Sequence, residues 1–123
     1  IEEQVNNTLA KGYVDGIHLD YIRYCDVILP VNLWSKYGIE QNRELPEYDF
    51  CYCNVCRNNF SALHGMDPLD IQYPDQSLSW RKFRYDNITA VVNRLSAVAH
   101  THKKKITAAV FPTPEVAKRI VIG

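Results

Sequence analysis

Residues 16–24 read GIHLDYIRY, and the fold turns on what kind of strand they begin. Ile17, Leu19 and Tyr21 alternate with Gly16, His18 and Asp20. Side chains along a strand point to opposite faces in turn, so the histidine and the aspartate share a face. The stretch is apolar enough to be buried on both sides, as parallel strands are. Two explanations cover its polar residues. In one, Asp20 caps a loop and His18 makes an internal hydrogen bond. In the other, the polar face leads to a site at the carboxyl end of the strand. Asp20 would then sit nearest that end, Arg23 and Tyr24 at its rim, and His18 deeper, as a positioning residue rather than a proton carrier.

Working outward, the pattern predicts a strand over 13–22 and, before it, a helix over 1–11. That helix has Ile1, Val5 and Leu9 on one face and Gly12 as its stop. The clearest helix spans 78–104: Ile88, Val91, Val92, Leu95, Val98 and Ala99 follow the helical period. Ser77 or Ser79 can cap its start, and lysines close its end. A second buried strand, KITAAVF, follows at 105–111, and Thr113-Pro114-Glu115 looks like the start of another helix.

Strand, crossover helix and strand make a right-handed parallel unit. Two strands cannot bury a parallel sheet on both faces, so the pattern calls for neighbours. A doubly wound sheet would supply them, and so would a (β/α)8 TIM barrel of about 250 residues. The expected fold class is α/β, with the chain as about half of such a barrel. Residues 1–123 would then be a fragment of one barrel catalytic domain, with 25–77 as a long loop insertion over its mouth. Both ends stop inside apolar helical patterns, so the remainder of the barrel would be needed for folding.

The totals narrow the function classes. Of 123 residues 46% are apolar, enough for a packed core. Fourteen basic residues balance fourteen acidic ones, which argues against a nucleic-acid or anionic-membrane surface. No apolar run approaches the ~20 residues of a membrane span, and the first residues are no signal peptide. Localisation stays open, and a periplasmic or secreted full-length protein is compatible with the sequence.

Segment 25–77 is irregular, with Pro30, Pro46, Pro68 and Pro74. Segments of this length are uncommon in compact domains and are usually functional. Within it NVCRNNFSALHG predicts a short helix with Val55, Phe60 and Leu63 inward and Gly65 as the stop. The run CYCNVC supplies Cys51, Cys53 and Cys56, with Cys25 upstream. Three thiolates so close can wrap one ion, and zinc prefers four ligands in a tetrahedron. Cys25 could complete the set, with His64 as a substitute. Two disulfides, or simply reduced and buried cysteines, are the alternatives. A catalytic metal is disfavoured, because four cysteines leave no position for water. The triplets beginning at Asn6, Asn59 and Asn87 match the glycosylation pattern, and HTHKKK at 100–105 reads as a solvated helix end.

VDGIHLDYIRY resembles the strand motif of bacterial glycoside hydrolases of the glycosyl hydrolase-like 10 group. The resemblance continues through FCYCNVCRNNF, SWRKFRYDNIT and ITAAVFPTP. It implies a TIM barrel acting on a carbohydrate substrate, with Asp20 as a catalytic carboxylate and His18 and Arg23 carried over by position as substrate-binding residues. Tyr24 at the strand rim and Trp34 in the loop join them as expected substrate-binding residues on their position alone. The cysteine run is similar to the structural zinc site of family 42 β-galactosidases, which implies zinc on Cys25, Cys51, Cys53 and Cys56. Glycoside hydrolysis normally takes two carboxyl groups. Asp26, Glu44, Glu47, Asp49 and Glu115 are candidates for the second, none singled out by position. Trp34, Tyr37, Tyr48 and Tyr52 could stack on sugar rings or simply pack the loop. The other class of function is a non-catalytic one, a carbohydrate-binding barrel or a zinc-stabilised interaction module.

Overall fold

Gly16 admits a neighbouring strand where a larger residue would not fit. A Cβ placed on it would stand 2.5 Å from the backbone oxygen of Lys105. That contact marks the start of a parallel pair, β1 (Gly16–Leu19) and β2 (Lys105–Ala108). The register sets Gly16 opposite Lys105, Ile17 opposite Ile106, His18 opposite Thr107 and Leu19 opposite Ala108. The computed structural model describes residues 1–25, 29–41 and 49–110. Four helices complete these parts: α1 (Glu2–Ala10), α2 (Val31–Tyr37), α3 (Asn54–His64) and α4 (Leu78–Thr101). Short 3-10 turns lie at Pro68–Asp70 and Pro74–Gln76.

The chain divides into two compact units, and the boundary falls within α4 after Tyr85. The first holds Ile1–Arg23 and Asp86–Val110. Here Leu9, Leu95 and Ala99 are buried, on the helical periods expected of them. Glu2 pairs with Arg94, and His102 Nε2 lies 2.8 Å from Asn6 Oδ1, so α1 is tied to α4 at two levels. Gly12, with φ 79°, ends α1 in a conformation that glycine reaches without a Cβ clash.

The second unit is built on aromatic rings. Phe60 from α3 meets Trp80 of α4 edge-on at 5.1 Å, and Trp80 stacks on Phe83 at 5.5 Å. Phe60, Trp80 and Phe83 are buried, and Tyr52, Cys56 and Ile71 pack against them. Beside this cluster lies a buried ion pair. Arg84 Nη2 is 3.0 Å from Asp49 Oδ1, Arg84 Nη1 donates to Asp49 Oδ2 at 3.2 Å, and both side chains are almost wholly enclosed. Tyr52 adds its hydroxyl to Asp49 Oδ2 at 3.0 Å, and the Arg84 guanidinium lies over the Tyr24 ring at 4.6 Å. On the surface Arg57 forks onto Asp67, which also accepts from Leu69 N. These hydrogen bonds, Arg57 first, hold the Asp67 carboxyl below its usual value.

The half-barrel expectation is overturned. Half of an eight-stranded barrel contributes about four strands, whereas the described residues give four helices and one two-stranded sheet. The strands are four residues each, His18 is exposed, and of β2 only Ile106 is partly covered. Burial on both faces is therefore not found. The described residues between the strands spend their apolar side chains on helices and on an aromatic core instead of further strands. Segment 25–77 carries α2 and α3. The expected helix over 54–64 is present, and it ends at Gly65 with φ 71°. Its inward face differs: Phe60 and Cys56 point to the core, while Val55 and Leu63 are exposed. The helix start suggested at 113–115 lies outside the described residues.

Three outcomes test this description. Arg84→Ala leaves the buried Asp49 without its partner and should cost about 3–5 kcal/mol in chemical denaturation, with Arg84→Met/Asp49→Leu recovering part of it. A cost under about 1 kcal/mol for Arg84→Ala would show the pair to be solvent-screened. Gly16→Ala should destabilise by about 1–3 kcal/mol, because the obstacle is backbone rather than a movable side chain. For Asp67 the folded value is depressed, so its contribution is present above the unfolded carboxyl value of about 3.9 and is lost as pH falls through the folded value. The stability gap between wild type and Asp67→Asn should close in acid; a gap independent of pH would contradict the assignment.

Candidate functional site

Two places in the described residues gather chemistry, one in each unit. The first is the carboxyl end of β1. Asp20 follows the last strand residue and is exposed. Its Oδ1 accepts the Tyr21 amide at 2.9 Å, which leaves Oδ2 directed to no hydrogen-bond donor among the described residues. Tyr21 stands at φ 53°, a left-handed conformation that costs a non-glycine residue roughly 1–2 kcal/mol. Three contacts hold it there: the Asp20 carboxylate, the Arg23 amide on Tyr21 O at 2.8 Å, and the Arg23 guanidinium 4.5 Å above its ring. Strain of this kind collects at functional sites. One residue inside the strand, His18 Nδ1 lies 2.9 Å from Thr107 Oγ1, its partner across the pair. The imidazole is thereby oriented.

The second place is the cysteine cluster. Cys51 lies in the segment that follows Asp49, Cys53 is the N-cap of α3, and Cys56 sits in its first turn. Asn54–His64 is helical because Phe60 and Cys56 offer one apolar face, with Gly65 to end it. Winding the first turn brings the three sulfurs together. Cys51 Sγ is 3.3 Å from Cys56 Sγ and 3.9 Å from Cys53 Sγ, and all three lie within 4.8 Å of one another. Cys51, Cys53 and Cys56 are thus close enough to bind one metal ion. For sulfurs about 2.3 Å from a tetrahedral zinc, the edge of the tetrahedron is about 3.8 Å. The Cys51–Cys56 and Cys51–Cys53 separations straddle that value, and thiolates are donors for soft metals.

The electrostatics of the triad are uneven. The Cys53 thiol is held below its usual value, chiefly by the Cys56 amide at the helix start and then by the Cys56 side chain, although no capping hydrogen bond closes. Burial pushes the Cys56 thiol up to about 12, with the neighbouring Cys51 and Cys53 adding to the shift. Without an ion, three crowded sulfurs resist ionising together; a divalent cation removes that obstacle.

The predicted ligand set is not assembled in full. Cys25 is an exposed free thiol outside the cluster, and His64, stacked at 4.4 Å on Phe60, is also outside it. Cys25 and Cys53 are exposed, so the reading of four buried, reduced cysteines does not describe them. Tyr24 packs on Arg84, and the half-buried Trp34 donates Nε1–H to Leu29 O at 2.7 Å, so both rings are engaged in local packing. Tyr52 is committed to the Trp80 core and to Asp49, while Tyr37 is exposed at the end of α2. Of the candidate second carboxylates, Asp49 is buried with Arg84, and Asp26, Glu44, Glu47 and Glu115 lie outside the described residues, as does Tyr48. Sequence reasoning missed the role of Arg84, whose spacing of four from Trp80 puts both on one face of α4.

Comparison with family models, with curated proteins and with solved structures found no match. Among the described residues, no helix is long and apolar enough to cross a membrane.

The triad makes a direct forecast. Purified chain supplied with zinc should hold about one ion, and Cys53→Ser should weaken binding strongly and lower the melting temperature, while Cys25→Ser leaves both unchanged. Equal loss in the two variants would return Cys25 to the ligand set.

Proposed function

We propose that this chain forms part of an enzyme that hydrolyses glycosidic bonds, with Asp20 as one of its carboxylates. The observation that carries the reading is the position of Asp20: exposed, just past the carboxyl end of a strand in a parallel pair. In open parallel sheets, ligands bind off the carboxyl ends of the strands. The oriented His18 and the strained Tyr21 beside it are what a prepared site would need. The resemblance of GIHLDYIRY to a glycoside hydrolase strand motif supplies the substrate class, a carbohydrate.

In this reading the carboxylate acts on the bond to the anomeric carbon, either as nucleophile or by moving a proton to or from it. The second carboxyl group would stand about 5–5.5 Å away for retention or 6.5–9.5 Å for inversion. Arg23, whose guanidinium lies over the Tyr21 ring, would bind substrate hydroxyls from there. Cys51, Cys53 and Cys56 would hold a structural zinc, with the fourth ligand coming from outside the triad. Thiolate coordination would fix the start of α3 and take no part in the reaction.

The triad also favours a second reading, a zinc-stabilised module without chemistry of its own. Aryl glycosides assayed with the full-length protein separate the two. Asp20→Asn should lower turnover by about 10²–10⁴-fold with the circular dichroism spectrum unchanged. Wild-type turnover in Asp20→Asn would remove Asp20 from the chemistry. Absence of any hydrolysis in a protein that still carries its zinc would favour the second reading.

A further inference from the structure

We propose that Cys51 and Cys56 are a redox pair whose oxidation by a peroxide closes a disulfide and opens the metal site. Their sulfurs are 3.3 Å apart, closer than those of Cys51 and Cys53 at 3.9 Å. A disulfide needs about 2.05 Å, so the two must approach by little more than about 1 Å. The two residues differ in freedom. Cys56 is fixed in the first turn of α3 and packs on the Phe60, Trp80 and Phe83 core. Cys51 lies outside any helix or strand and is half-exposed, so its side chain can both meet a small oxidant and swing towards Cys56. Cys53 stands farther from Cys51, at 3.9 Å, and is only two residues away, a spacing that makes a tight ring.

The chemistry is a two-electron oxidation in two displacements. The Cys51 sulfur attacks one oxygen of hydrogen peroxide. An S–O bond forms, the O–O bond breaks, and the departing hydroxide takes the proton given up by the Cys51 thiol and leaves as water. The Cys56 sulfur then attacks the Cys51 sulfenic acid. The S–S bond forms, the S–O bond breaks, and a second water leaves with the proton of the Cys56 thiol. Two thiols are oxidised and one peroxide is reduced. Zinc binds thiolates and not disulfide sulfurs, so the ion would be left with Cys53 alone from the triad and would dissociate. A dithiol reductant reverses the step by exchange and restores the ligands.

The metal-release half of this inference rests on the structural-zinc reading, and the disulfide half does not. The test uses Cys25→Ser chain, so that intermolecular cross-links at that exposed thiol do not intervene. Reduced, zinc-loaded protein is treated with stoichiometric hydrogen peroxide and followed by intact mass, peptide mapping and a metallochromic dye. Expected are the loss of two hydrogen atoms per chain, a Cys51–Cys56 linked peptide, release of zinc in step with the disulfide, and recovery with dithiothreitol. The additional change Cys53→Ser should leave the linked peptide in place, and Cys56→Ser should instead leave a sulfenic acid on Cys51 that dimedone traps. A chain that binds no zinc but forms the same disulfide would overturn the zinc reading and sustain the redox pair. Sulfinic acids without a linked peptide, or a disulfide that always includes Cys53, would overturn the pair.

Discussion

The buried pairing of Arg84 with Asp49 is the constraint on which the second unit depends. A guanidinium and a carboxylate withdrawn from water are each costly, and each is tolerable only with the other in place. Asp49 lies two residues before Cys51, and Arg84 lies four residues after Trp80. The ion pair therefore fixes the entry to the cysteine run against the same helix that supplies the aromatic core. Tyr52, between Cys51 and Cys53, links the ion pair to the aromatic core: its hydroxyl reaches Asp49 and its ring meets Trp80 at 5.2 Å. With both flanks pinned, the backbone has little choice about where the three sulfurs go.

Under the proposed reading the cysteines and the carboxylate would do different work. The sulfur cluster grows out of packing, since Cys56 belongs to the core contacts as well as to the triad. Asp20 is the reverse case: exposed, next to the strained Tyr21, and held by the Tyr21 amide instead of by a core. A residue that contributes to stability is enclosed by its neighbours. One that is to act on a substrate, as proposed for Asp20, must be reachable.

How far this was legible from sequence depended on how local the cause was. Helix α4 and the parallel pairing were readable because a helical period and a strand alternation need only nearby residues. Helix α3 was readable from Gly65, yet its inward face was not. Counting Cys56 only as a ligand hid the four-residue step from Cys56 to Phe60 that defines that face. The short α2 was missed, although Gly38 at φ 64° closes it as glycine closes many helices. The barrel failed for a further reason. An apolar strand suggests covering on both faces, but that character does not set how many strands supply it. The burial of Arg84 was hidden because an arginine on a helix ordinarily faces water, and its partner is 35 residues away in the chain.

The central claim is that Cys51, Cys53 and Cys56 act together on one ion. X-ray absorption at the zinc edge of the metal-loaded chain tests it most directly. The account predicts a first shell dominated by three sulfurs at about 2.3 Å, which falls apart in Cys53→Ser. A shell of nitrogen and oxygen only, unchanged by that substitution, would contradict it.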